Sequence, residues 1–147
     1  MSIQINSIAI IEDDSKIRQY LAEEIQLHID VSEIRLFSNA EEALKTLTRE
    51  PADIVLFDVQ LPGMNGIECM RRLKIIHPKM QCMVLTVYDK PDTVFEALKA
   101  GAISYLLKST PSQKIVEGIA EVYHGGSPIS SKIARKVIET FAMIEKT

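Results

Sequence analysis

The run Ile54-Val55-Leu56-Phe57 constrains the fold more than any other stretch. It is apolar throughout, so a strand there must be covered on both faces. That is the condition of a parallel sheet with helices above and below it. Four more short strand-like runs accompany it, at Ser7–Ile11, Ser32–Phe37, Cys82–Leu85 and Ile103–Leu107. Helical patterns with short connections separate them, the signature of an α/β parallel sheet. A chain of 147 residues makes one such domain with a sizeable core.

The helical segments can be outlined in the same way. The first places Ile17, Tyr20, Leu21, Ile25 and His28 on one face. Ser38 with Glu41 three residues on reads as a capping box, followed by an apolar stripe of Ala40, Ala43, Leu44 and Leu47. Asn65, with Glu68 as partner, opens a helix that stops near His77, before Pro78. Pro91–Ala100 is a short helix closed by Gly101. In Thr110-Pro111-Ser112-Gln113 we expect a Thr cap, Pro at the first helical position and Gln at the third. Gly125-Gly126 ends that helix.

Ser127-Pro128 is a hinge, and residues 130–145 form a sixth helix with Ile133, Val137, Phe141 and Ile144 on one stripe. A five-stranded domain is complete by Gly126. The stripe therefore packs back on the domain, pairs with a second copy, or leads into a further domain.

Composition excludes several classes. No apolar run approaches the length that spans a bilayer. Met1-Ser2-Ile3-Gln4 lacks the basic start and apolar core of a signal peptide, so a cytosolic (cytoplasmic) protein with no membrane partner is expected. Cys69 and Cys82 fit neither a metal spacing nor a disulfide framework and read as reduced packing residues. The formal net charge is −3; residues 130–147 carry +2 and the remainder −5, so the globular part has no general affinity for nucleic acid.

Polar groups stand where the apolar runs end. Glu12-Asp13-Asp14 follows the first strand, Asp58 the third, Thr86 the fourth and Lys108 the fifth. In a parallel sheet all carboxyl ends lie on one edge, so these side chains converge. Two unit negative charges at ~4 Å repel by about 4 kcal/mol at an effective dielectric near 20. A hard cation resolves such a cluster. Mg²⁺ keeps several waters and takes one or two carboxylates together with phosphate oxygens. Asp13 and Asp58 are the expected direct ligands, Glu12 acts through water, and the Gln60 carbonyl completes the protein share. An ionised Asp beside Mg²⁺ is also a usable nucleophile toward phosphorus. Lys108 and the Thr86 hydroxyl then serve the remaining phosphoryl oxygens. Taken singly, each residue has a plain reading: helix-starting acids, a turn Asp, a strand Thr, a solvated Lys. It is the joint pattern at successive strand ends that points to chemistry.

Ile10-Ile11-Glu12-Asp13-Asp14, the stretch from Leu56 to Gly66 around Asp58, Leu85-Thr86, and Gly101-Ala102 through Tyr105-Leu106-Leu107-Lys108 resemble the receiver domains of two-component response regulators. The likeness covers about residues 5–125, within a receiver domain bounded at 1–126. It implies a flavodoxin-like (CheY-like) doubly wound sheet of strand order 2-1-3-4-5. It implies that Asp58 accepts phosphate from a sensor histidine kinase, that Glu12 and Asp13 hold Mg²⁺, that Lys108 contacts the phosphate, and that Thr86 and Tyr105 form the switch pair. A phosphoacceptor of this kind is a signalling domain, not an enzyme acting on an external substrate.

Two positions depart from the pattern. Ser109 stands where the family often has Pro behind a cis peptide, and a cis bond before Ser109 would cost ~3 kcal/mol. Val87 follows Thr86 where a small residue is common; a branched side chain there shields the acyl phosphate and slows its loss, with Gln60 and Tyr88 also at the mouth. Residues 127–147 are expected to be a linker and C-terminal helix, and the tail Gly125-Gly126-Ser127-Pro128-Ile129-Ser130 followed by a basic amphipathic helix resembles the linker of the NarL/LuxR class, whose C-terminal helix-turn-helix binds DNA. One helix cannot make that reader. The expected partners are therefore a histidine kinase, DNA only through a module not in this chain, and a second copy on phosphorylation.

Two other classes compete. A metal-dependent phosphatase with an aspartyl nucleophile usually has an acid two residues further on, but Gln60 cannot protonate a leaving group. A nucleotide- or flavin-binding domain would need a glycine-rich phosphate loop, which is missing, and would meet an acidic first strand end.

Overall fold

The computed structural model describes residues 4–145. Met1 to Ile3 and the Lys146 counted in the basic tail lie outside the described residues. Eleven elements follow in order: β1 Gln4–Ile11, α1 Ser15–His28, β2 Asp30–Phe37, α2 Ala40–Arg49, β3 Ile54–Phe57, α3 Gly66–Ile76, β4 Gln81–Thr86, α4 Pro91–Ala100, β5 Ala102–Leu107, α5 Ser112–Tyr123 and α6 Ser131–Glu145. All strand pairs are parallel and the sheet runs β2-β1-β3-β4-β5. This is the expected flavodoxin-like α/β order. Among the described residues no peptide bond is cis, so the one before Ser109 is trans. No described helix is long and apolar enough to cross a membrane.

Strand periodicity sorts the core into two layers. Ile8 and Ile10 of β1 face α1 and α5, together with Leu56, Leu85, Leu106, Ile25 and Ile119. Ala9 and Ile11 face the other side, with Val55, Phe57, Val84, Tyr105, Leu73 and Val94. All four residues of β3 are buried, as its uniform apolarity requires.

The helices start where short polar side chains can satisfy free backbone N–H groups. Asp14 caps α1, accepting from Lys16 N at 2.9 Å and Ile17 N at 3.2 Å. Asn65 caps α3 through Glu68 N at 2.9 Å, as expected. The Glu68 side chain turns instead to Arg71 and Arg72.

Local patterns mislead at four places. The cap of α2 is Asn39, not Ser38: its amide oxygen takes Glu42 N at 2.9 Å. Glu41 is thereby free to accept Met64 N at 2.9 Å, a tertiary contact no capping rule contains. Pro111 precedes α5 rather than opening it, with extended backbone (ψ 143°) and a carbonyl that accepts Ile115 N; Thr110 closes a turn onto Leu107 O instead of capping. On α1, Tyr20 and His28 are exposed; the Tyr20 hydroxyl reaches Glu24 and Ser112, and His28 ends the helix. On α6, Ile133 is fully buried and Val137 partly so, but Phe141 and Ile144 are about three-fifths exposed. Of the three fates open to this helix, packing back on the domain holds for its start: α6 lies against α4, with Ile133 in the core and Val137 beside it.

Gly66 starts α3 against the backbone of the preceding loop. A Cβ there would lie 1.9 Å from the Asp58 carbonyl oxygen, an impossible approach. Gly66→Ala is expected to cost about 2 kcal/mol, the middle of the range for overpacking, measured as a lower urea midpoint; an unchanged midpoint would contradict the packing. Cys69 and Cys82 are buried free thiols, and burial pushes both up to about 12. We expect neither to react with a thiol reagent at neutral pH until the fold opens. Rapid labelling of the native protein would refute that.

Candidate functional site

The sheet ladder continues one residue beyond three strands. Glu12 N donates to Phe37 O at 3.0 Å, Asp58 N to Ile11 O at 3.1 Å, and Lys108 N to Thr86 O at 2.9 Å. The first residue off β1, β3 and β5 is thus held by backbone hydrogen bonds, and the side chains of all three converge on the carboxyl edge.

Lys108 Nζ lies 2.8 Å from Asp58 Oδ2 and 2.5 Å from Glu12 Oε1. The Thr86 hydroxyl donates to Asp58 Oδ1 at 3.0 Å, and Gln60 N lies 3.3 Å from the same oxygen. Glu12, Asp58 and Thr86 are buried, whereas Asp13 is open to solvent. Carboxylate oxygens of Glu12, Asp13 and Asp58 all come within 4.8 Å of one another. The three consecutive acids all line the pocket but divide their work: Glu12 and Asp13 join the carboxylate cluster, and Asp14 caps the helix.

Burial raises the Glu12 carboxyl above its ordinary value, with the nearby Asp58 charge adding to it, against the lowering effect of Lys108 and of Asp14 N. At Lys108 burial pulls the other way, but the bonds to Asp58 and Glu12 outweigh it and its pKa is raised. Three carboxylates face one ammonium, leaving a formal charge of −2 when all are ionised. A divalent cation with oxygen preference balances that charge, and the donor set is the hard, oxygen-only kind Mg²⁺ accepts. The residues present fit the ion.

The pocket spans ≈ 500 Å³ and is rimmed by Asp13, Gln60, Leu61, Pro62 and Val87. Val87 stands two-thirds exposed at the mouth, and Gln60 is at the rim, as expected. Tyr88 is not among the lining residues; its carbonyl instead accepts the Tyr105 hydroxyl at 2.7 Å. Tyr105 is fully buried, and burial pushes its phenol above the ordinary range. A larger groove (≈ 710 Å³) lies at the opposite edge of the sheet, where the Asp53 carboxylate is already engaged by Asn6 N and Ser7 N.

Sequence reasoning missed two supports of the site. Arg18, one turn into α1, donates to the Glu12 carbonyl at 2.6 Å and pins the acidic loop. Its only signal was its position a helical turn after Asp14. Glu41 holds the loop after Asp58 through Met64 N, and that bond keeps its carboxyl below the usual value.

Known proteins are similar to this chain in sequence and fold. Residues 8–120 match the response regulator receiver domain family. The transcriptional regulatory protein LiaR of Bacillus subtilis is 30% identical over 133 residues, 89% of this chain and 62% of the relative. The transcriptional regulatory protein DegU of Brevibacillus brevis is 27% identical over 145 residues, 96% of this chain and 61% of the relative. The chain thus spans about three-fifths of the length of these relatives. Among solved structures, a LuxR-family two-component response regulator from Aurantimonas sp. SI85-9A1 superposes with a TM-score of 0.86 at 24% identity, covering 94% of this chain and 99% of that one. A LuxR-family DNA-binding response regulator from Staphylococcus aureus gives 0.75 at 28% identity, covering 80% and 98%. With the strand order, the acidic edge and a family match over most of its length, this chain belongs to the response regulator receiver domain family.

Proposed function

We propose that Asp58 is the phosphoacceptor of a Mg²⁺-dependent signalling switch, charged by a sensor histidine kinase. The observation that carries this reading is the meeting of Lys108 and Thr86 on the two oxygens of one buried, acid-flanked carboxylate. Glu12, Asp13 and Asp58 would hold Mg²⁺, with the Gln60 carbonyl as a further ligand. When bound, the ion neutralises charge on the transferring phosphoryl group.

An Asp58 oxygen forms a bond to phosphorus while the bond from phosphorus to the donor breaks, and the donor atom keeps that electron pair. The product is an acyl phosphate. Lys108 and Thr86 already donate to Asp58 and need only transfer those bonds to phosphoryl oxygens. A Thr86 drawn toward phosphate and a Tyr105 held inward make the switch pair, a local electrostatic event read by a packing change. Residues 1–126 form the receiver, and 127–147 are a linker and helix leading to an output module outside this chain. By likeness to LuxR-family regulators that module is a DNA-binding helix-turn-helix, and the output is transcription control in the cytoplasm.

Incubation with Mg²⁺ and acetyl phosphate should give a single phosphate adduct by intact mass, absent in Asp58→Ala and when Mg²⁺ is chelated. An adduct that survives Asp58→Ala, or none on the wild type, overturns the assignment. Val87 bears on the reverse step. Its exposed branched side chain at the mouth impedes water, so Val87→Ala should lose phosphate roughly two- to fivefold faster, a barrier change of about 0.5–1 kcal/mol. Equal or slower loss would remove the shielding role.

A further inference from the structure

The linker and α6 are wired to both sides of Tyr105. On one side the backbone of β5 takes the linker as an added edge: Tyr105 N donates to Pro128 O at 3.3 Å, Ser130 N to Tyr105 O at 3.1 Å, and Leu107 N to Ser130 Oγ at 3.1 Å. The Ser104 hydroxyl adds a bond to Pro128 O at 2.6 Å. Gly118, in the middle of α5, makes the room. A Cβ there would sit 3.4 Å from Pro128 Cγ and 3.3 Å from Leu106 Cδ1. Gly inside a helix is unfavourable by itself, and this one borders the linker's seat.

On the other side lies the loop between β4 and α4, which starts at the pocket. Tyr88 N lies 3.4 Å from Thr86 Oγ1, and Tyr88 O accepts the Tyr105 hydroxyl. The next residue, Asp89, receives Lys132 Nζ at 2.9 Å and Lys136 Nζ at 3.4 Å on its carboxylate. Lys136 also donates to the Asp89 carbonyl at 2.8 Å. These contacts lower the Asp89 carboxyl below its ordinary value, Lys132 foremost. Between the two lysines, Ile133 is fully buried in the same core as Tyr105. An exposed ion pair alone holds little. Here one carboxylate gathers two lysines, a backbone bond reinforces it, and a buried apolar anchor lies beside it.

We propose that Asp89, Lys132 and Lys136 form a latch that couples the docking of α6 to the state of Asp58. The route runs from Asp58 through Thr86 and the 87–90 loop to Asp89, and through Tyr105 to residues 128–130. The inference rests on the reading of Asp58 as phosphoacceptor. A phosphoryl group gives the Thr86 hydroxyl a stronger acceptor in its inward position. That arrangement is the one seen with α6 docked, so modification at Asp58 tightens the helix onto α4. By linkage the effect is reciprocal: weakening the latch lowers affinity at the pocket by the same factor.

The test uses beryllofluoride with Mg²⁺ on the whole chain, with ¹⁹F NMR reporting bound ligand and hydrogen exchange reporting amides of residues 131–137. In the wild type we expect a bound resonance and α6 exchange slowed about fivefold, the low end of typical coupling. In Lys132→Ala/Lys136→Ala, and separately in Asp89→Asn, the bound resonance should persist, its midpoint should rise by about the same factor, and the slowing should vanish. A bound resonance with α6 exchange unchanged, or latch variants with the wild-type midpoint, overturns the coupling and leaves the phosphoacceptor reading intact. No bound resonance in the wild type removes that reading, and the coupling falls with it.

Discussion

The site depends on the parallel ladder running one residue past its strands. Backbone bonds at Glu12, Asp58 and Lys108 fix three Cα positions on one edge, and only then can two buried acids share an ammonium. The side chains contribute the charge, but the sheet sets their separation. A one-residue slip of β3 against β1 would turn Asp58 from this edge and send Phe57 to the opposite face. Register is secured because β3 is buried on both sides and pairs with β1 and β4 from Ile54 to Phe57.

The charge balance that follows is deliberately incomplete in the physical sense. Lys108 offsets one acid of three, and the remaining repulsion favours a divalent cation over an empty pocket. Burial opposes ionisation of Glu12 and Lys108 alike, yet pairing prevails at Lys108 and burial prevails at Glu12. Such opposed environments within one cluster are common where ions and phosphoryl groups are handled. The same edge continues into the 87–90 loop, where Tyr88 N lies near the Thr86 hydroxyl, Tyr88 O accepts the Tyr105 hydroxyl and Asp89 takes Lys132 of α6.

Much of this was legible in the chain. The five apolar runs mark the five strands, and a parallel sheet sends Glu12, Asp13, Asp58, Thr86 and Lys108 to one edge with no knowledge of contacts. The helix starts were less legible. Ser38 and Asn39 both satisfy a capping preference, and the choice turned on whether Glu41 was needed elsewhere, at Met64 N. Pro111 suits the first helical turn and the extended residue before it equally, since its φ fits both. Arg18 carries only its place a helical turn after Asp14 and Asp89 no local mark at all, because each acts on a partner supplied by a folded-back loop or by another element.

What the amino-acid sequence determined by itself is therefore the layered α/β architecture and the identity of the polar groups at its strand ends, since both follow from periodicity along a single stretch. What only the tertiary structure decided is the fate of residues 128–137. The stripe on α6 suited an internal partner, a second copy or a further domain equally well. Burial of Ile133, the hydrogen bonds of residues 128–130 along β5 and the seat of two lysines on Asp89 select the first for its initial turns. The reason is physical: hydrophobic spacing states that a face must be covered, whereas the covering surface is assembled from residues far away in the chain.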